Sequence, residues 1–202
     1  ELHCRSNYSF LEGASHADEL FAQAKLLGYA ALAITDRNSL AGIVRAHVAA
    51  REAGVRLIVG AEIVPEDGPP LVLLPVSRAG YGRLSSLITA GRRRIEKGQC
   101  RILMSDVAEH SGDLFCCLPL SVETRQRYER RFQPGVSSDL PAGTLAMVRE
   151  LFGDRCSALA ELHCGPRDSE RLVRWLEQCR QAGLSAAAAN DVHVHVPRRR
   201  AL

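Results

Sequence analysis

Ala188-Ala189-Asn190-Asp191-Val192-His193-Val194-His195, near the carboxyl end of the chain, decides how the rest is read. A run of small apolar residues stops abruptly at an acid followed by two imidazoles. Buried parallel strands have this pattern where their carboxyl ends open into a site. On a strand, Asp191 and His193 share a face, because side chains alternate. An Asp-x-His pair on one face offers two common ligands of divalent cations. Two ligands do not hold a metal usefully, so the reading turns on what the remaining residues bring.

Working outward, the same pattern recurs. Glu1 to Arg5 reads as a first strand, and a helix runs from Ser15 or His16 to about Gly28 with Leu20, Phe21, Ala24 and Leu27 as its stripe. Ala30 to Asp36 is a short buried strand ending in an acid, and Leu40 to Ala53 a helix stopped by Gly54. Arg56 to Glu62 is again a strand ending in an acid. Strand and helix alternate, which implies parallel pairing through helical crossovers. Leu71 to Val76 is a strand, Gly80 to Glu96 a helix with Leu84, Leu87 and Ile88 inward, and Leu114 to Leu118 a strand. The pattern weakens across an irregular insertion at about 121–143. It resumes with a helix at Thr144 to Phe152, a strand at Ser157 to His163 and a helix striped by Leu172, Trp175, Leu176 and Cys179.

The composition fits this α/β reading. A chain of 202 residues suits one domain with a proper core. Its apolar content is mostly Ala, Leu and Val and its aromatic content is 5%, which favours close-packed helices and strands over a β-sandwich. A net charge of +3 does not by itself imply a polyanion partner. No apolar run approaches a membrane span and no signal-peptide pattern opens the chain. The seven cysteines lack zinc-finger spacing and several lie in apolar runs, so we expect reduced thiols and a cytoplasmic protein. Both ends read as cut from a longer chain.

His3, Asp36, Glu62, His163, Asp191 and His193 then all fall at the carboxyl ends of expected parallel strands. In a βα barrel those ends converge on one face, where active sites are built. Separate strands that each deliver a His, Asp or Glu to one rim point to an ancestral metal site.

The residues that carry this pattern resemble the polymerase and histidinol phosphatase (PHP) domain of bacterial C-family DNA polymerases, closest to the error-prone branch. The carrying segments are Glu1 to Ser15, Ala31 to Asp36, Gly60-Ala61-Glu62, Arg78 to Leu84, Glu96 to Arg101 and Asn190 to His195. The resemblance implies an α/β fold, a distorted seven-stranded βα barrel of TIM-like form, over a single domain at 1–202, with a polymerase core beyond 202. It also implies that active members hold two or three divalent metals at the rim and cleave phosphoesters, in some polymerases as a 3′–5′ proofreading exonuclease.

Carried over by position, the ligand set is His3, Glu12, Asp36, Glu62, Asp191 and His193. The match is incomplete. Arg5 stands where the family has the second His of His-x-His, and Arg37 where it has the His of Thr-Asp-His. A family Cys falls nearest Pro119 or Leu120, so Cys116 and Cys117 are expected to pack as small apolar residues. A family His aligns nearer Gly165 than His163. A two-metal hydrolase needs several ligands per ion and an open position, and arginine neither coordinates metal nor deprotonates. We therefore expect Arg5 and Arg37 to replace metal charge beside Asp36 and Glu62.

The function expected is that of a non-catalytic structural or docking domain with a degraded metal site, within an error-prone polymerase of damage-induced translesion synthesis. The alternatives are an active metal-dependent phosphoesterase or proofreading exonuclease, and a free-standing binding module. One divalent metal (Zn, Mn or Mg) at His3, Asp191 and His193 stays open, with Mg assigned to the polymerase core. Expected partners are the remainder of the polymerase chain, DNA through it, translesion accessory proteins and the sliding clamp, with no membrane. Arg92-Arg93-Arg94 and Arg198-Arg199-Arg200 offer DNA phosphate contacts, or else a solvated helix face and a basic linker.

Overall fold

The computed structural model describes residues 1–120, 143–163, 165 and 167–201. The expected insertion at 121–143 lies outside these residues except for Gly143, as do Pro166 and Leu202.

The chain forms a mixed α/β fold with seven strands and six α-helices among the described residues. Their order is α1 (Ala17–Leu26), β1 (Ala31–Ile34), α2 (Ile43–Ala53), β2 (Arg56–Val59), β3 (Ala61–Ile63), β4 (Leu71–Pro75), α3 (Arg78–Arg93), α4 (Met104–His110), β5 (Leu114–Leu118), α5 (Thr144–Phe152), β6 (Cys156–Glu161), α6 (Asp168–Gln181) and β7 (Ser185–Ala189). A 3-10 turn covers Pro197–Ala201. The helices follow their sequence signals. In α1, Ala17, Leu20, Phe21 and Ala24 are buried at helical spacing, and the Glu19 carboxylate accepts the His16 N–H at 2.9 Å. Helix α2 ends at Gly54, whose φ of +72° closes the last turn.

The strands fall into two sheets, β1–β2 and β3–β4–β5–β6–β7. The single strand expected at Arg56 to Glu62 is broken at Gly60, where the chain changes sheets. A Cβ at Gly60 would lie 2.6 Å from Leu74 Cδ2 and 3.1 Å from the Leu73 oxygen, so glycine lets the backbone pass that close. Pairing is parallel for β1–β2, β5–β6 and β6–β7, but antiparallel for β3–β4 and β4–β5. This corrects the all-parallel expectation. The loop between β3 and β4 is too short for a helical crossover. Between β4 and β5 the chain runs through two helices, not one, and the unanticipated α4 returns it in the opposite sense.

The expected first strand at Glu1 to Arg5 is not a regular strand. It is an extended segment that joins the two sheets through an isolated bridge between Cys4 and Val192. Arg5 N–H donates to the Val192 oxygen at 2.8 Å on one side, and Thr35 N–H to the Cys4 oxygen at 2.8 Å on the other. A second bridge, Arg37 to Glu62, links the other edges. Between the sheets an apolar cluster takes Ala33, Val72, Leu74, Cys117, Leu159 and Ala189 from five strands. The larger core packs α3 to α6 against the five-stranded sheet, and a third cluster seats α1 and α2 on β1. Trp175 Nε1–H donates to the Leu159 oxygen at 3.1 Å and so locks α6 to β6.

Candidate functional site

The site is built on Arg5. Its side chain is fully buried at the junction of the amino-terminal segment, β3 and the turn after β7. Nε donates to Glu62 Oε2 at 3.1 Å and Nη2 to Glu62 Oε1 at 2.8 Å, a two-pronged contact with a carboxylate on β3. Nη1 donates to Asp191 Oδ1 and lies 2.8 Å from His193 Nε2. Facing a guanidinium, that ring nitrogen must act as acceptor in the contact. Glu12 Oε2 lies 3.6 Å from Arg5 Nε.

Arg37 closes the rim from the other side. It donates through Nε to Glu62 Oε2 at 3.2 Å and through Nη1 to Glu12. The two arginines thus share Glu62, as expected. The hydrogen bonds described for Asp36 come from serines of the amino-terminal segment. Asp36 is buried and accepts Ser6 N–H at 2.8 Å, Ser6 Oγ–H at 2.7 Å and Ser9 Oγ–H at 2.7 Å.

Asp191 and His193 do meet, at 3.3 Å between Oδ2 and Nε2, but not for the reason given by strand alternation. Strand β7 ends at Ala189, and Asp191 adopts φ +49°, a left-handed kink that turns its carboxylate region toward Arg5. His3 is buried and donates from Nδ1 to Glu161 Oε1 at 2.7 Å, with Asp191 Oδ1 3.5 Å from the same nitrogen. Among the described residues, His3 Nε2 and Glu161 Oε2 have no hydrogen-bond partner.

Glu161 was missed from sequence. It ends β6 just as Asp36 and Glu62 follow apolar strand residues, but the apolar pattern alone carries that strand on to His163. His163 is tied by its own N–H to Asp168 Oδ2 at 2.8 Å.

The electrostatics follow from this packing. Burial alone would raise Glu62 and Asp191. For Glu62 the charges of Arg5 and Arg37 prevail, and for Asp191 the nearby His193 and the charges of His3 and Arg5 do, so both sit below the usual carboxylate range. Burial opposes the charge on Arg5, yet Glu62 and Asp191 hold it protonated even more firmly than usual. Burial raises Glu12 and Glu161, against the pull of Arg37 and Arg5 on the first and of His3 on the second. Burial also opposes charging His3, but its bond to Glu161 and the nearby Asp191 raise it overall. Cys116 and Cys117 are buried in the apolar clusters, and burial followed by the Glu161 charge pushes the Cys117 thiol up to about 12. A thiol so placed does not supply a thiolate ligand.

The arginine clusters are partly spent within the molecule. Arg92 Nη2 donates to the Asn38 oxygen at 2.9 Å, and Arg94 forks onto Asp106, with Nη2 to Oδ1 at 2.6 Å. Arg199 donates to Glu19 Oε1 at 2.5 Å. Arg93 and Arg198 are exposed, and the Arg200 side chain lies outside the described residues.

The sequence pattern of the PHP domain matches residues 1–141. The chain belongs to the PHP domain family. Error-prone DNA polymerases of Pseudomonas fluorescens and Rhodopirellula baltica are 48% and 42% identical to it over 202 and 203 residues, covering 100% of this chain. The PHP domain chain spans only 18% and 17% of those relatives' lengths. Among solved structures, a putative metal-dependent phosphoesterase from Bifidobacterium adolescentis superposes with a TM-score of 0.65 at 17% identity, covering 95% of this chain and 86% of that one. The lesion-specific endonuclease EndoQ of Pyrococcus furiosus gives 0.61 at 12% identity, covering 98% and 49%. At these identities the likeness is one of fold.

Metal-dependent chemistry is typical of PHP domains, so the fit of a divalent ion to this rim can be judged. Glu62 gives both oxygens to Arg5, and Asp191 and His193 give it one atom each. The guanidinium fills the space these groups surround, and it is a cation that cannot coordinate. Among the described residues, no group of three or more His, Cys, Asp or Glu side chains is arranged to hold a metal. As built, the rim does not fit one.

Proposed function

We propose that this PHP domain is a non-catalytic structural part of an error-prone DNA polymerase acting in damage-induced translesion synthesis. The observation that carries this reading is the burial of Arg5 between Glu62, Asp191 and His193. Hydrolysis of a phosphoester by metal ions needs open coordination positions and a bound water. Here a permanent cation takes the carboxylates, with Arg37 reinforcing it through Glu12 and Glu62. The rim groups then act as ion pairs that join the amino-terminal segment, β3 and the end of β7. The two bridged sheets and the interior drawn from five strands support a distorted seven-stranded barrel as the frame.

The relatives' names and lengths support the placement in a polymerase, whose remaining chain would be the first partner. Accessory proteins, the sliding clamp, DNA contact through Arg93 and Arg198, and a cytoplasmic location belong to the same proposal. No helix among the described residues is long and apolar enough to cross a membrane.

The test is elemental analysis of the purified protein with a phosphodiesterase assay in manganese or zinc. Near-zero metal and no turnover is the expected result. Two or more tightly held ions, with hydrolysis abolished in Asp191→Ala, would sink the reading. The double variant Arg5→His with Arg37→His restores two imidazoles to the rim and should gain metal affinity. A double variant that folds without gaining any counts against the placement of these side chains at former ligand positions.

A further inference from the structure

The rim groups converge on one loop, Ser6 to Gly13, and fix it from below. Asp36 accepts three hydrogen bonds from Ser6 and Ser9, and Ser9 Oγ in turn accepts Arg37 N–H at 3.0 Å. The Arg37 side chain pairs with Glu12, and His193 Nδ1 lies 3.1 Å from the Glu12 oxygen. Within the loop, the Glu12 and Gly13 N–H groups both donate to the Ser9 oxygen. A Cβ on Gly13 would lie 2.0 Å from the Ser6 oxygen, so the loop is closed as tightly as its backbone allows.

On its outer side this braced loop exposes two large apolar neighbours. Phe10 is 84% and Leu11 74% exposed, with Tyr8 beside them at 37%. Leu11 sits at φ +64°, a conformation that bulky side chains rarely adopt. A flexible loop would relax Leu11 and fold both side chains inward. Here the hydrogen bonds hold them out, an arrangement associated with binding surfaces.

We propose that Tyr8, Phe10 and Leu11 form a docking knob for the polymerase body of the same polypeptide, and that Asp36, Arg37 and His193 serve to brace it. This rests on the reading of the chain as the PHP domain of an error-prone polymerase. Two observations select that occupant. Relatives 42–48% identical over this chain devote only 17–18% of their length to it, so most of each relative lies elsewhere. Three side chains are also far too little for a stable contact between separate molecules, which bury on the order of 1,200–2,000 Å². A covalently linked body meets the knob at millimolar effective concentration, and a small contact then suffices.

The test uses the full-length gene product with Phe10 replaced by the photocrosslinking residue benzoylphenylalanine. Irradiation should join position 10 to residues of the same chain beyond 202. Asp36→Ala should lower the yield several-fold, and Ser9→Ala, which removes the two bonds of the Ser9 hydroxyl but leaves both Ser6 bonds to Asp36, should lower it less. Phe10→Ser with Leu11→Ser should bring down the temperature at which polymerase activity is lost. Cross-links confined to residues 1–202, formed to a second copy, or absent would overturn the proposal. Metal content and phosphodiesterase activity report on the non-catalytic reading separately, so a failure there is distinguishable from a failure of the knob.

Discussion

Arg5 and Glu62 face each other as a planar fork on a carboxylate, 3.1 and 2.8 Å apart at its two prongs, with neither side chain exposed. Removing one member of a buried pair strands the other's charge away from water, at a cost of about 3–5 kcal/mol. Arg5→Ala should therefore lower unfolding stability by roughly that amount in urea titration. Arg5→Lys should recover only part of it, because an ammonium cannot fork onto both Glu62 oxygens and still reach Asp191. Combining Arg5→Met with Glu62→Leu should cost less than the two single changes together. A purely additive double variant would show that the pair is not coupled.

Asp36 is anchored by different chemistry. It receives two hydroxyls and one backbone N–H, all from the loop at Ser6 to Ser9. Hydrogen bonds to a charged acceptor are worth about 1.5–3 kcal/mol each when one side is deleted. Asp36→Asn keeps the size but loses acceptor capacity, so it should destabilise less than Asp36→Ala. Both should speed hydrogen exchange at the Glu12 and Gly13 amides, which depend on the loop's closure. Unchanged exchange at those amides would mean that the loop holds itself without Asp36.

The Arg94–Asp106 pair provides a pH test well away from the rim. The Arg94 hydrogen bond holds the Asp106 carboxyl below its ordinary value of 3.8, against the opposing effect of burial and with help from the Leu103 N–H. A carboxyl with a depressed folded value stabilises the protein above its unfolded value and loses that contribution as pH falls through the folded one. Wild type should exceed Asp106→Asn in stability at neutral pH, and the gap should narrow as the medium is acidified below about 4. A gap that stays constant down to low pH would show that the carboxylate's charge does not matter there.

Much of this was legible because local rules acted alone. The strand at Leu114–Leu118 and the helix at Thr144–Phe152 occupy the ranges that their apolar patterns set. Helix α4 was not anticipated, although Met104 and Val107 are spaced for one buried face and the Asp106 carboxylate accepts the Leu103 N–H at 2.8 Å. Its seven residues are too few to give a clear period, and missing it reversed the expected direction of β5 against β4. At the site, the strand-end acids Glu62 and Asp191 were found, and the arginine substitution was visible at Arg5 and Arg37. The serine donors to Asp36 were not. Their placement depends on the path of the Ser6 to Gly13 loop, and no periodicity in the sequence encodes that path.

Two glycines should respond in opposite ways to the same small change. Gly82 lies within α3, and a Cβ there meets nothing within 4 Å. Alanine at that point reduces the freedom of the unfolded chain without a clash, so Gly82→Ala should stabilise the protein by about 0.5–1 kcal/mol. At Gly13 a Cβ would lie 2.0 Å from the Ser6 backbone oxygen and 2.6 Å from its carbonyl carbon. No side-chain rotation relieves a collision with backbone, so the loop must open. Gly13→Ala should then lower stability by more than Gly82→Ala raises it, while releasing the hydrogen bonds that Asp36 draws from Ser6 and Ser9. Paired thermal melts of the two variants give both signs in one experiment. A neutral Gly13→Ala would show that the loop accommodates the methyl group, and hence that it is not braced as tightly as its hydrogen bonds imply.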